Sequence, residues 1–102
     1  MARLLVMYKT PKDPAAFEKH YFDKHVAIAK KIPGLRKYEI SKGPVGTPAG
    51  PSNVHLVAIL HFDDAAAIQN AFASAEGKAA VADVQVFATG GVDILIFDNR
   101  DV

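Results

Sequence analysis

The sequence predicts an α+β fold in which strand, helix, strand, strand, helix and strand follow one another. That order gives a four-stranded antiparallel sheet with both helices on one face, the ferredoxin-like β-α-β-β-α-β arrangement. Three observations predict it. Two helix-periodic segments are interleaved with four short apolar or alternating runs. A length of 102 residues allows one such unit, residues 1–102, as a single domain with one modest core. Half of the residues are apolar, but seventeen of these are alanine, so elements can approach closely around a thin core.

Leu4 to Tyr8 is a short run apolar on both faces, ended by Lys9-Thr10-Pro11, and reads as the first strand. Asp13-Pro14 is an N-cap carboxylate with proline at the first helical position, and the periodic segment beyond it runs to Ile32 before Pro33-Gly34 stops it. With about 100° per residue and His25 set at zero, Phe17, Tyr21, Phe22, Ile28, Ala29 and Ile32 fall within roughly 80° of it. His25 thus centres the buried stripe, and Lys19, His20, Asp23, Lys24, Lys30 and Lys31 form a solvated face. Leu35 to Lys42 alternates, with Arg36, Tyr38 and Ile40 on one side and Lys37, Glu39 and Ser41 on the other, which suits an edge strand. Residues 43–53 hold three glycines and three prolines and predict a long irregular hairpin connection, a lid or a plain linker.

Val54 to Phe62 is the clearest strand. Val54, Leu56, Ala58, Leu60 and Phe62 make an apolar face for the helices, and His55, Val57, Ile59 and His61 make a mixed one. Asp63-Asp64 caps a helix over Ala65 to Ala73 that restarts at Ser74 toward Val84, weakened by Gly77. Gly90-Gly91 turns into a last strand, Val92 to Phe97. With both helices on one face, the bulky residues of the other face are left bare, and burying them predicts a homodimer through the sheet faces.

Composition excludes several functions. Twelve basic against eleven acidic residues, a net charge of +1, argue against nucleic-acid binding. No apolar run approaches a membrane span, and Met-Ala-Arg-Leu-Leu-Val is too short for a signal peptide. The lack of cysteine removes disulfides, thiol nucleophiles and thiolate metal sites and suits a cytoplasmic location. No metal site is expected: His55 and His61 lie about 20 Å apart along an extended strand, and His20 and His25, five apart on a helix, diverge by roughly 140°. The glycines do not lead into helices, so no phosphate loop is expected, and no cofactor.

His25 is the candidate that remains. A buried imidazole needs its nitrogens satisfied, and burial favours the neutral, proton-accepting form. Two readings stand side by side: a core histidine bonded to a backbone carbonyl, or a general acid or base facing a pocket between helix and sheet. Tyr21, one turn earlier, is the candidate helper; Glu18 is angularly aligned but some 10 Å away along the axis. Tyr8, Tyr38, His61 and Phe22 are weaker candidates for binding a ligand, each with packing as the plainer role.

The segments Tyr21 to Leu35 (YFDKHVAIAKKIPGL), His55 to Asp63 (HLVAILHFD) and Phe87 to Gly91 (FATGG) resemble the EthD-like family of the dimeric α/β-barrel superfamily. The Tyr-x-x-x-His helix with its Lys-Ile-Pro-Gly-Leu stop is the most specific part. The resemblance implies a ferredoxin-like subunit dimerising through its sheets, and carries over His25 as the site residue. The family takes its name from a gene cluster for ethyl tert-butyl ether degradation, and related barrels include cofactor-free monooxygenases, lactone isomerases, polyketide cyclases and dehydratases. This chain departs from the pattern at Ala27, usually proline, and at Ile59, often acidic. The expected function is a homodimer that binds an apolar or aromatic small molecule, with cofactor-independent acid/base chemistry of isomerase, dehydratase or cyclase type. The alternatives are a non-catalytic binding or stress-response module and a cofactor-free monooxygenase.

Overall fold

The computed structural model describes all 102 residues. Its elements are β1 (Ala2–Lys9), α1 (Pro14–His20), a π-helical turn (Tyr21–His25), α2 (Val26–Ala29), β2 (Lys37–Ile40), β3 (Gly46–Thr47), β4 (Gly50–Pro51), β5 (Val54–Phe62), α3 (Ala65–Ala73), α4 (Ala75–Phe87) and β6 (Val92–Asp98). The main sheet is antiparallel in the order β2-β5-β1-β6, with β2 at one edge as its alternation required. This is the ferredoxin-like α+β fold.

Helix starts follow the capping chemistry. Asp13 accepts from the Ala16 amide at 3.1 Å with Pro14 at N1, Asp64 accepts from Ala67 at 2.8 Å, and Ser74 accepts from Gly77 at 3.0 Å. Gly77, expected to weaken its helix, is instead demanded by the α3–α4 corner, since a Cβ there would sit 2.0 Å from the Ala71 carbonyl oxygen.

Tyr8, Phe17, Tyr21, Phe62 and Ile68 are the largest fully buried side chains and form the core between sheet and helices, joined by Leu56, Ala58 and Leu60 of β5. The opposite sheet face, carrying Leu5, Met7, Val57, Ile59, Leu95 and Phe97, has no helix over it, and Leu95 and Phe97 are exposed.

Three expectations are corrected. The helix expected to run unbroken to Ile32 ends at Ala29 and is interrupted at residues 21–25, where the Val26 amide reaches back five residues to the Tyr21 carbonyl. The widened turn swings Phe22 out of the buried stripe, leaving it 52% exposed. His55 does not share a face with Val57, Ile59 and His61. Tyr8 pairs with Leu56 and Lys9 with Val54, so His55 is the extra residue of a bulge and turns toward α1. Residues 43–53 are not wholly irregular, because β3 and β4 pair within them as a small hairpin.

Candidate functional site

Between helices and sheet lies a cavity of about 370 Å³. Leu4, Val6, Ala58 and Leu60 floor it, Ala29 and Ile32 form one wall, and Ile68, Phe72, Ala80, Val81 and Val84 form another. The polar side chains on its lining are Tyr8, Tyr21, His25, Tyr38, Gln69 and Gln85. No lysine, arginine or carboxylate lines it, so it suits an uncharged guest.

His25 is 5% exposed. Its Nδ1 lies 2.8 Å from Oδ2 of Asp83 on α4, and Oδ1 of the same carboxylate lies 2.9 Å from Nε2 of His20. In an α-helix residues five apart diverge by about 140°. The π-turn, whose hydrogen bond spans five residues, brings them into line instead, so His20 and His25 meet one carboxylate.

Burial pushes the His25 imidazole below its ordinary value, opposed by Asp83, so it is neutral near pH 7. Burial alone would raise Asp83, but the hydrogen bonds from His20 and His25 outweigh it and hold the carboxyl below the usual range. Asp83 is therefore an anion that only accepts, and neutral His25 donates from Nδ1–H. Its Nε2 then carries a lone pair. That nitrogen has no hydrogen-bond partner, and no buried side-chain nitrogen or oxygen lacks one, so Nε2 keeps some access to the surroundings of a ring that is on the cavity lining.

The hydroxyls of Tyr21 and Tyr38 lie 2.5 Å apart, so one donates to the other and a single O–H of the pair is left for a guest. Burial pushes the ionisation of Tyr8, Tyr21 and Tyr38 upward, and they remain donors. Around them an aromatic cluster fixes ring positions: Phe17 stacks on Tyr21 at 5.7 Å and 8°, and Phe87 packs on His25 at 4.7 Å.

Of the residues singled out from the sequence, His25, Tyr21, Tyr8 and Tyr38 come together here. Phe22 and His61 do not. Phe22 lies on the outer side of the π-turn toward the 43–53 hairpin, and His61 lies on the bare sheet face, 2.5 Å from Glu39. The carbonyl partner suggested for His25 is replaced by Asp83, and Glu18 pairs with His55 at 2.9 Å. Sequence reasoning missed Asp83 and placed His20 in solvent. The signal for Asp83 is a lone carboxylate in the small apolar run Ala79-Ala80-Val81-Ala82-Asp83-Val84. No group of three or more histidine and carboxylate side chains is placed to hold a metal ion, and no helix is long and apolar enough to cross a membrane.

Residues 9–91 match the family model of the EthD domain. Over 102 residues the chain is 39% identical to an uncharacterized 11.0 kDa protein of the thcB-thcC intergenic region of Rhodococcus erythropolis, covering 100% of this chain and 98% of that one. It superposes on the crystal structure of an ethyl tert-butyl ether degradation (EthD) family protein from Bacillus halodurans with a TM-score of 0.90 at 35% identity, covering 98% and 99% of the two chains. At the level of fold alone it is similar to SnoaB, a cofactor-independent oxygenase from Streptomyces nogalater (TM-score 0.70, 17% identity, 99% and 94% covered). The fold also matches a dimeric ferredoxin-like protein from Thermobifida fusca (TM-score 0.68, 12% identity, 94% and 88% covered).

Proposed function

Because this chain belongs to the EthD family, we propose that its cavity binds a neutral, largely apolar small molecule and that His25 moves a proton on it without a cofactor. The observation that carries this reading is a neutral histidine, keyed by Asp83 and with Nε2 unpartnered, on a largely apolar cavity lining. A ligand carbonyl or hydroxyl oxygen accepts from the free O–H of the Tyr21–Tyr38 pair. Nε2 takes a proton from the adjacent acidic C–H or O–H, and the oxygen's growing charge is met by the tyrosine. The imidazolium is stabilised by Asp83, can exchange its proton with solvent, and returns a proton to another atom of the ligand, which amounts to isomerisation, dehydration or ring closure. The fold-level likeness to a cofactor-independent oxygenase fits a scaffold working without a cofactor.

The working unit is a homodimer joined through the bare sheet faces, and the absence of cysteine suits the cytoplasm. A panel of neutral ketones, lactones and phenols screened by thermal shift identifies ligands, and exchange of ligand C–H for deuterium by NMR reads proton transfer. His25→Gln is expected to keep the thermal shift and slow exchange at least about 100-fold. Exchange at the wild-type rate in that variant overturns the catalytic part, and the absence of a shift with every member of the panel overturns the binding part.

A further inference from the structure

His20 is not on the lining of the cavity. Its ring lies behind His25, at an outer depression shared with Lys12, Asp13 and Phe87, and its side chain is mostly buried. Two contacts and a shared neighbour fix it there. Nε2 meets Oδ1 of Asp83 at 2.9 Å, the ring stacks on Phe87 with centroids 5.2 Å apart at 26°, and Phe87 in turn packs on His25. A carboxylate with one partner turns about its last bond, whereas a carboxylate held on both oxygens does not. Of the side chains near Asp83, only the two imidazoles donate to it.

We infer that His20 is a positioning residue for His25: by donating to Oδ1 of Asp83 from behind the cavity, it holds Oδ2 against Nδ1 of His25 and so fixes the tautomer that leaves Nε2 free. This rests on the proton-transfer reading for its use, but the arrangement itself is testable without any ligand. The titratable and charged groups facing the cluster are Asp83 from α4, His20, His25 and Tyr21 from the first helical run, Tyr8 from β1, and Lys12 and Asp13 at the rim beside His20. None of the others competes for Oδ1.

Nitrogen-15 NMR of the imidazoles at about pH 8, where neutral histidine dominates, reads the tautomer directly. In the wild-type chain His25 is expected as a single Nδ1–H form. His20→Phe keeps the ring on Phe87 and removes the donor, and its His25 is expected to populate both forms, with the two nitrogen shifts drawn together. His20→Gln, which restores an N–H donor, is expected to recover the single form. His20→Asn, too short to reach Oδ1, serves as a second donor-free variant if the Phe variant does not fold. A single Nδ1–H form persisting in a folded donor-free variant overturns the inference. With a ligand in hand, deuterium exchange in the donor-free variants is expected to slow about tenfold at unchanged binding. If the tautomer shifts but the wild-type chain exchanges no ligand proton, the function proposed above fails and the positioning role stands.

Discussion

On the helix side of the sheet His25 meets Asp83 at 2.8 Å, and on the bare side His61 meets Glu39 at 2.5 Å. The chemistry of the two pairs is the same and their surroundings are opposite. Asp83 exposes 13% of its side chain and is shared with a second imidazole, whereas Glu39 exposes 42% and is shared with the Lys37 ammonium at 3.5 Å. The first pair borders a largely apolar cavity, and the second sits on the sheet face that no helix covers. A histidine and a carboxylate at bonding distance therefore do not make a site by themselves. What distinguishes the first pair is an adjoining cavity with His25 on its lining.

The comparison breaks most visibly through packing. Phe17→Ala removes the ring that touches Tyr8, Tyr21, His55 and Phe87, and is expected to cost about 3–5 kcal/mol in chemical denaturation. A cost near zero would mean that the helix side is not the rigid side. On the bare face, Leu95→Asp or Phe97→Asp is expected to leave the protomer folded and turn a dimer into a monomer at micromolar concentration, read by sedimentation. A wild-type monomer there would remove the reason for the apolar face.

A subtler difference lies in acid. Burial holds the folded His25 below its ordinary 6.5, so the unfolded chain takes up that proton first. Stability is then full above about pH 6.5 and falls as the pH drops toward the folded value. Asp83, held below 3.8, adds a further loss at lower pH. Thermal midpoints between about pH 7 and 5 should decline in the wild-type chain and flatten in His25→Gln. The smallest effect is expected from Glu39→Gln in a monomeric Leu95→Asp background, which should move the midpoint by less than about 1 °C because Glu39 is 42% exposed in the protomer.

Much of this was legible in the residues. The caps Asp13, Asp64 and Ser74, the alternation of Leu56–Phe62 and the burial of His25 are local signals, and the fold follows from their order. The site was half legible. Tyr21 and His25 lie on one predicted stripe, but Asp83 comes from a helix 58 residues later, and nothing local marks its partner. Gly77 read as a flaw because the Ala71 backbone it accommodates is a tertiary neighbour. His20 and Phe22 were assigned to the wrong sides for one shared reason. A constant 3.6-residue period was assumed across a turn that closes over five.

That turn is one residue inserted into an otherwise regular helix. Deleting one residue among Phe22, Asp23 and Lys24 would let α1 and α2 fuse into a single regular helix, a local gain in hydrogen-bond geometry. His20 and His25 would then stand four residues apart, about 40° from each other, and both imidazoles would still face one carboxylate. Keeping the chain length but straightening the turn into a regular helix would instead set the two rings about 140° apart and break the clamp. In this family fold, a relative one residue shorter at this turn is expected to keep the clamp on an unbroken helix.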